Sequence, residues 1–235
     1  MSDLGVLAKL VVGMPRRGSH AERLEGFYAG QAEDYDRFRV GLLHGRDELI
    51  QRLPLEAGKR LVELGGGTGR NLEAIGERRA ALEQVWLVDL CPALLAVARR
   101  RKDGPGWANV EMIAADACTW QPPQPVDVVM CSYSLTMIPD WQAAIANAKA
   151  MLKPGGTFAC VDFTCLRASP DERLQSGIER WFWRRWFGHD GVRPSHLHLA
   201  HLRQTFRERH AEVRRVRLPY LPIRAAYYLF VGEKA

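Results

Sequence analysis

The chain has 235 residues, 47% of them apolar, and a formal net charge of +6. That length and composition suit one globular α/β domain with a sizeable core and additions at both ends. The five cysteines form no CxxC pair, the histidines miss zinc-finger spacing and no segment is long enough to span a bilayer, so no zinc module or membrane-crossing helix is expected.

Residues 4–14 are apolar but short and interrupted by Lys9, with no basic leader before them. They read as a packing segment or an interfacial helix rather than a signal peptide. Residues 16–34 start polar and irregular. Phe27, Tyr28, Tyr35 and Phe38 then alternate with charge, and residues 1–40 read as an N-terminal extension or lid. A helix is expected over 41–53, with Leu42, Leu43, Leu49 and Ile50 on its apolar face and Pro54 and Gly58 ending it. A strand at 60–64 runs into Gly65, Gly66 and Gly67. A helix from 71 to about 81 follows, with Leu72, Ile75 and Leu82 inward.

The second strand is 84–89, and Pro92 sits where a first helical turn tolerates it. The helix over 93–101 ends in Arg99, Arg100, Arg101 and Lys102, cations that suit a helix carboxyl end. Strands are expected at 110–114 and at 126–132, the latter an almost unbroken apolar run of the kind found in a sheet covered on both faces. Pro139 opens a helix with Trp141, Ile145, Ala148 and Leu152 toward the core. Lys153-Pro154-Gly155-Gly156 stops it before a strand at 157–163. Alternation of strand and helix over a core of 41–163 argues a parallel sheet in a doubly wound sandwich. Residues 164–210, rich in Trp, Phe and Arg, break the alternation and read as a helical insertion facing substrate or membrane. Strands at 212–218 and 227–232 close the domain as an antiparallel pair within 211–235.

The triple-glycine bend is the centre of the site. Glycine lets the backbone turn sharply and lets a ligand approach bare main chain, and an unpaired helix start beyond it suits an anionic or polar ligand. The spacing is G-x-G-x-G, with Arg70 where the dinucleotide pattern wants its third glycine. Asp89, at the end of the second strand, is placed for two ribose hydroxyls. These two features alone still allow NAD. Asp116 after the third strand, placed for an adenine amino group with Ala117 beside it, and the Pro154-Gly155-Gly156 turn complete a set that resembles the class I S-adenosylmethionine-dependent methyltransferases. That fold is a Rossmann-like sandwich on a mostly parallel seven-stranded sheet with a C-terminal antiparallel hairpin. The plain structural reading of Asp89 and Asp116 is a pair of loop or cap carboxylates.

Further segments narrow the resemblance. They are Tyr35-Asp36-Arg37-Phe38-Arg39, Leu43-His44-Gly45-Arg46, Glu63 to Asn71, Val88-Asp89-Leu90-Cys91 and Ala115-Asp116-Ala117-Cys118-Thr119. Ser132-Tyr133-Ser134-Leu135-Thr136-Met137-Ile138-Pro139, Phe182-Trp183 and Pro219-Tyr220-Leu221-Pro222 complete them. Together they are similar to the betaine-lipid N-methyltransferase family, called BtaB in bacteria, from about residue 27 onward. The resemblance implies a cytoplasmic enzyme in peripheral contact with the membrane. It would methylate diacylglyceryl-homoserine three times to diacylglyceryl-trimethylhomoserine, with a companion synthase, BtaA, supplying the homoserine lipid.

On that reading Gly65, Gly66 and Gly67 pass under the methionine moiety and Glu63 takes its amino group. Asp89 takes the ribose and Leu90 packs on adenine. Asp116 and Ala117 hold the adenine edge, and Ser132 and Tyr35 also count among the cofactor-binding residues. Arg46 suits the methionine carboxylate, or is a surface arginine. Tyr28, Tyr35 and Tyr133 are the candidates to surround amine and sulfonium, since aromatic faces attract such cations; the plain alternative is core packing. His189, His196, His198 and His201 are either a proton relay or ordinary solvated and packed histidines. Methyl transfer from a sulfonium needs alignment more than a base, so no triad and no metal are expected. The Arg/Trp/Phe stretch over 178–188 is either interfacial or a cap over the site. Rival readings are methylation of phosphatidylethanolamine or of a soluble amine, and a non-catalytic scaffold for the synthase. No nucleic-acid acceptor is expected, because Ser132-Tyr133-Ser134 stands where the Asn/Asp-Pro-Pro-aromatic signature would follow the fourth strand.

Overall fold

A computed structural model describes residues 14–15, 17–29, 42–102, 107–165, 181, 183, 191–217 and 224–235. Tyr35, His189, Trp186, Phe187 and the 218–223 connection lie outside the described residues.

Seven strands form one sheet in the order β3-β2-β1-β4-β5-β7-β6. They are β1 (Arg60–Leu64), β2 (Gln84–Asp89), β3 (Val110–Ala114), β4 (Val126–Ser132), β5 (Leu152–Thr164), β6 (Arg207–Arg217) and β7 (Arg224–Glu233). β1 to β5 pair in parallel, and β7 runs antiparallel between β5 and β6. The helices are α1 (His20–Tyr28), α2 (Arg46–Arg52), α3 (Arg70–Ile75), α4 (Glu77–Ala80), α5 (Pro92–Lys102), α6 (Trp141–Met151) and α7 (Leu197–Thr205).

Side-chain alternation divides the core by sheet face. Leu61, Leu87, Met130 and Val161 point to one face, where Leu49 of α2, Leu72 of α3 and Leu95 of α5 cover them. Val62, Val88, Val129 and Cys160 point to the other, under Ile145 and Ala148 of α6 and Leu202 of α7. The first four strands coincide with the sequence expectation because each is bounded by turn residues; β1, β2 and β4 are buried along most of their length, while β3, at the sheet edge, is buried fully only at Val110.

Four elements differ from expectation, each for a physical reason. The helix expected over 41–53 begins only at Arg46, after a left-handed Gly45 at a φ of 80°, so Leu42 and Leu43 precede it. The helix expected over 71–81 breaks into α3 and α4 at Gly76, whose φ of 65° and ψ of −138° no helix accommodates. Residues 153–156 sit inside β5 rather than before it. β4 pairs Val126 with Leu152 and then Val128 with Thr157, so Asp127 faces a four-residue bulge. Lys153 Nζ holds the Asp127 carboxylate at 2.8 Å, and the Gly155 amide donates to the Lys234 carbonyl at 2.9 Å. Finally, β6 begins at Arg207, five residues before its expected start. Residues 207–210 carry no apolar alternation, and the ladder to β7 imposes extension on them, with Arg207 and Arg209 both bound to the Glu233 carboxylate.

Strand order reverses between β1 and β4. A ligand crevice in an open α/β sheet opens at the carboxyl ends of the strands at such a switch point, and the glycine bend follows β1 there.

Candidate functional site

The bend leaves β1 pinned to β2: the Gly65 and Gly66 amides both donate to the Val88 carbonyl, at 2.8 and 3.2 Å. The three glycines serve different purposes. A Cβ on Gly65 would lie 2.3 Å from Ser134 Cβ, at a φ of 70°. A Cβ on Gly66 would lie 2.1 Å from Leu87 Cδ1 in the core. On Gly67 it would meet nothing nearer than 3.6 Å, so of the three only this position has space for a methyl.

That space is a cavity of about 240 Å³. Gly65, Gly67, Asp89, Leu90, Asp116, Ala117 and Tyr133 line it, so the strand ends bring these expected site residues together. Asp89 Oδ2 accepts the Gly67 amide and Oδ1 accepts the Cys91 amide, both at 2.8 Å. Each oxygen keeps a lone pair for a diol. Burial raises the Asp89 pKa, and the backbone amides oppose that shift. Asp116 Oδ1 accepts the Cys118 amide at 2.8 Å, which fixes the turn after β3. Asp89→Ala removes both anchors of this loop together with the diol acceptor. It is expected to weaken cofactor binding by about 100-fold in titration calorimetry, as loss of charge-assisted bonds implies; unchanged affinity in the folded variant removes the assignment.

Glu63 lies behind the bend, wholly buried. Asn71 Nδ2 donates to its Oε1 at 2.6 Å, while Oε2 has no partner. Burial pushes its pKa up to about 8. An orphaned buried carboxylate oxygen beside a glycine bend fits the ammonium of a bound amino-acid moiety.

Arg46 stands elsewhere. It lines a second, polar cavity of about 290 Å³ with His44, Arg70, Asn71, Arg214 and Tyr227. Asn71, in this second cavity, is bonded to Glu63, which itself lines neither cavity. Ser132 does not reach the first cavity either: its Oγ is buried without a partner.

Tyr133 is the one non-glycine residue among those described with positive φ, at 55°. A bulky side chain in that region is an outlier that packing must enforce. Its amide donates to the Val161 carbonyl at 2.8 Å, its hydroxyl donates to the His44 carbonyl at 2.6 Å, and its ring meets Phe163 edge-on. The turn that follows is held from below by Asp162. This buried carboxylate accepts the Thr136 amide and hydroxyl at 3.0 and 2.7 Å, and burial pushes its pKa up to about 6.

α1 forms the opposite wall with His20, Leu24 and Tyr28, spaced to share one helix face. Glu25 fastens it, accepting the Ala93 amide at 3.0 Å and the Cys91 thiol at 3.2 Å. Sequence reasoning missed His20, Leu24 and Asp162. The signal for the first two was present: Ser19 and Glu22 form a capping box that starts α1. Asp162 carries no local signal inside its apolar strand.

His198 is buried against Trp141, with its pKa lowered to about 4 chiefly by burial. Neither it nor His196 or His201 lines the cavity. Trp183 is also a core residue, 1% exposed, with Nε1 donating to the Arg224 carbonyl at 2.8 Å. Among the described residues, Glu48, His210 and Glu212 bring metal-ligand atoms within 4.8 Å of one another, but the Arg214 guanidinium already bonds both carboxylates. No helix among the described residues is long and apolar enough to cross a membrane.

A family model described as a methyltransferase domain matches residues 35–216. The trans-aconitate 2-methyltransferase of Methylobacterium radiotolerans is 32% identical over 144 residues, 61% of this chain and 53% of that protein. The chain spans about half the length of the curated relatives it matches. Among solved structures, N-methyltransferase NodS from Bradyrhizobium japonicum WM9 in complex with S-adenosyl-L-homocysteine shares the fold at a TM-score of 0.66 and 17% identity, over 90% of this chain and 98% of that one. The [4+2]-cyclase SpnF does so at 0.70 and 17%, over 94% and 98%. A fold shared with a cyclase leaves the reaction to be argued from the site.

Proposed function

We propose that this chain, which belongs to the methyltransferase-domain family, methylates the amine of diacylglyceryl-homoserine three times to give the trimethylhomoserine betaine lipid. S-adenosylmethionine is its cofactor. When bound, it supplies an electrophilic methyl on a sulfonium.

The observation that carries the choice of an amine is the charge of the cavity wall. Among its described lining residues stand the carboxylates Asp89, Asp116 and Asp140, with neither lysine nor arginine. Asp89 and Asp116 suit the adenosyl group, and Gly67 leaves its backbone open to it. Tyr28 and Tyr133 present aromatic walls that favour an amine gaining positive charge. In each turnover the acceptor nitrogen first gives one proton to water, then as a neutral amine it forms the nitrogen–carbon bond while the sulfur–carbon bond breaks; the third turnover leaves a quaternary ammonium. The chain's task is to align a neutral amine and keep competing water away. The specific lipid rests on the segments from Tyr35 to Pro222 that resemble the betaine-lipid enzymes.

The relatives favour a second reading, esterification of a small carboxylate such as trans-aconitate. A tricarboxylate calls for guanidinium partners, which this wall lacks among its described residues. Incubation with labelled cofactor and each acceptor, followed by product mass, separates the two. Mono-, di- and trimethylated homoserine lipid is expected. A methyl ester of trans-aconitate, with the lipid untouched, overturns the proposal.

The Tyr133 hydroxyl is committed to the His44 carbonyl, so its contribution to an acceptor lies in the ring. Tyr133→Phe is expected to cost about 1 kcal/mol of stability, one net hydrogen bond, and to keep most turnover. Tyr133→Ala is expected to lower kcat by at least about tenfold through misalignment. Thermal melts and steady-state rates check both, and an alanine variant with normal kcat removes the ring from acceptor positioning.

A further inference from the structure

We infer that the carboxyl edge of the sheet beside the cavity is a docking surface for an anionic lipid membrane, built from Trp181, Leu197, Arg193 and Arg217. The choice of a membrane rests on the lipid acceptor proposed above; the charge and geometry stand without it.

Charge is concentrated in one part of the chain. Residues 191–224 contain eight arginines and two glutamates, an excess equal to the formal +6 of the whole sequence. Most of these arginines along β6 and α7 are answered locally. Arg203 pairs with Glu208, Arg207 and Arg209 with Glu233, and Arg214 with Glu48 and Glu212. Arg193 and Arg217 are exposed, and no described carboxylate lies within ion-pair distance of either. The unanswered charge therefore lies at the edge rather than along the strand.

Register places these residues. Thr164, the last residue of β5, pairs with Ala226, so Arg224 and its partner Arg217 project beyond the carboxyl end of β5. Trp183 is anchored to the Arg224 carbonyl, which brings Trp181, two residues earlier, to the same corner with 66% of its surface exposed. Thr164 Oγ1 donates to the Ser195 carbonyl, and Leu197 begins α7 beside it, 51% exposed. The Arg193 amide donates to the Thr136 carbonyl at 2.7 Å, in the turn whose Met137 lines the cofactor cavity. Trp181 and Leu197 are two of the three large apolar side chains exposed among the described residues.

Basic side chains with an exposed tryptophan and leucine match an interface of anionic headgroups over acyl chains. A nucleic acid would use the charge but has no apolar phase for Leu197, which offers no stacking face. Of the 178–188 stretch expected to be interfacial, only Trp181 and Trp183 are described, the first exposed and the second facing the core; the described basic part of the surface comes from the end of β6 and the segment before α7. Docking on this edge turns the cavity side of the sheet toward the bilayer.

The test is flotation of the full chain with phosphatidylcholine vesicles, with and without phosphatidylglycerol. Co-flotation is expected only with the anionic vesicles, reversed by salt. Joint charge reversal of Arg193 and Arg217 to Glu is expected to weaken binding by at least roughly 25-fold, at about fivefold per basic residue near such a surface. Trp181→Ala is expected to weaken it severalfold while S-adenosylmethionine binding stays intact, which certifies the fold. Absence of the wild-type protein from anionic vesicles at low salt overturns the inference. So does equal binding to neutral vesicles, indifference to both substitutions, or displacement from vesicles by single-stranded RNA. Methylation of detergent-dispersed lipid is read separately: if it fails while flotation succeeds, the acceptor falls and the docking surface stands.

Discussion

Glu63→Gln is expected to weaken S-adenosylmethionine binding by about 100-fold and, in the same molecule, to stabilise the cofactor-free protein at neutral and alkaline pH. The two effects share one cause. The side chain is fully buried, holds one hydrogen bond from Asn71 and leaves Oε2 unanswered. Burial lifts its pKa from the ordinary 4.5 to about 8. The folded-state pKa is thus raised above the unfolded one. The group's contribution to stability is complete below about pH 4.5 and is lost progressively as pH climbs to about 8. At pH 7 the loss is on the order of 3 kcal/mol. Glutamine keeps the acceptor for Asn71 and does not titrate, so it avoids that loss.

An ammonium delivered by the cofactor reverses the balance, because it favours the ionised carboxylate. Binding below about pH 8 should therefore release up to one proton from Glu63. Calorimetry at pH 7 in buffers of different ionisation enthalpy reads that proton, and melts of wild type and Glu63→Gln across pH 5 to 9 read the stability. A variant no more stable than wild type at pH 8, or one that binds normally, sinks the assignment. Gain of stability with loss of ligand is the pattern of a functional group held at a cost to the fold.

Gly65→Ala is expected to cripple folding, by about 2–5 kcal/mol. A left-handed alanine costs about 1–2 kcal/mol, and forcing a methyl into filled space about 1–3 more. Here that space is Ser134, whose Cβ would lie 2.3 Å from the new methyl and whose Oγ is bonded to the Leu64 carbonyl at 2.8 Å. Gly67→Ala, with nothing nearer than 3.6 Å, meets only the backbone penalty and should fold, yet its methyl enters the cofactor cavity. The pair separates fold from function at positions two residues apart. Denaturant melts should show a large loss for Gly65→Ala and a small one for Gly67→Ala, and calorimetry should show lost affinity in the latter. An alanine at 65 as stable as wild type would contradict the packing account.

Much of the cofactor site was legible because its signals are local. Asp89, Asp116 and the glycine bend are marked by their positions at the ends of apolar runs, and the cavity brings them together. Tyr133 follows β4 in the same way, but its positive φ and its bond to His44 have no signature in the chain. His20 and Leu24 could have been found from the Ser19–Glu22 capping box and four-residue spacing. Arg46 could not be placed by its neighbours in sequence. Its cavity is made with Arg214 and Tyr227, from the far edge of the sheet.

By itself the sequence determined the succession of strands and helices, the bend after β1 and the acids at the strand ends. Those follow from periodicity, glycine and turn residues, which act within a few positions of the chain. What each of those residues touches is set by the folded arrangement. It showed which glycine packs on Leu87 and which borders the cavity, that Glu63 is buried with one oxygen unanswered, that Trp183 turns inward while Trp181 does not, and which arginines are left without a carboxylate. All of these depend on contacts between residues distant in the chain, where burial and the dielectric around a group are set by whatever the fold brings beside it.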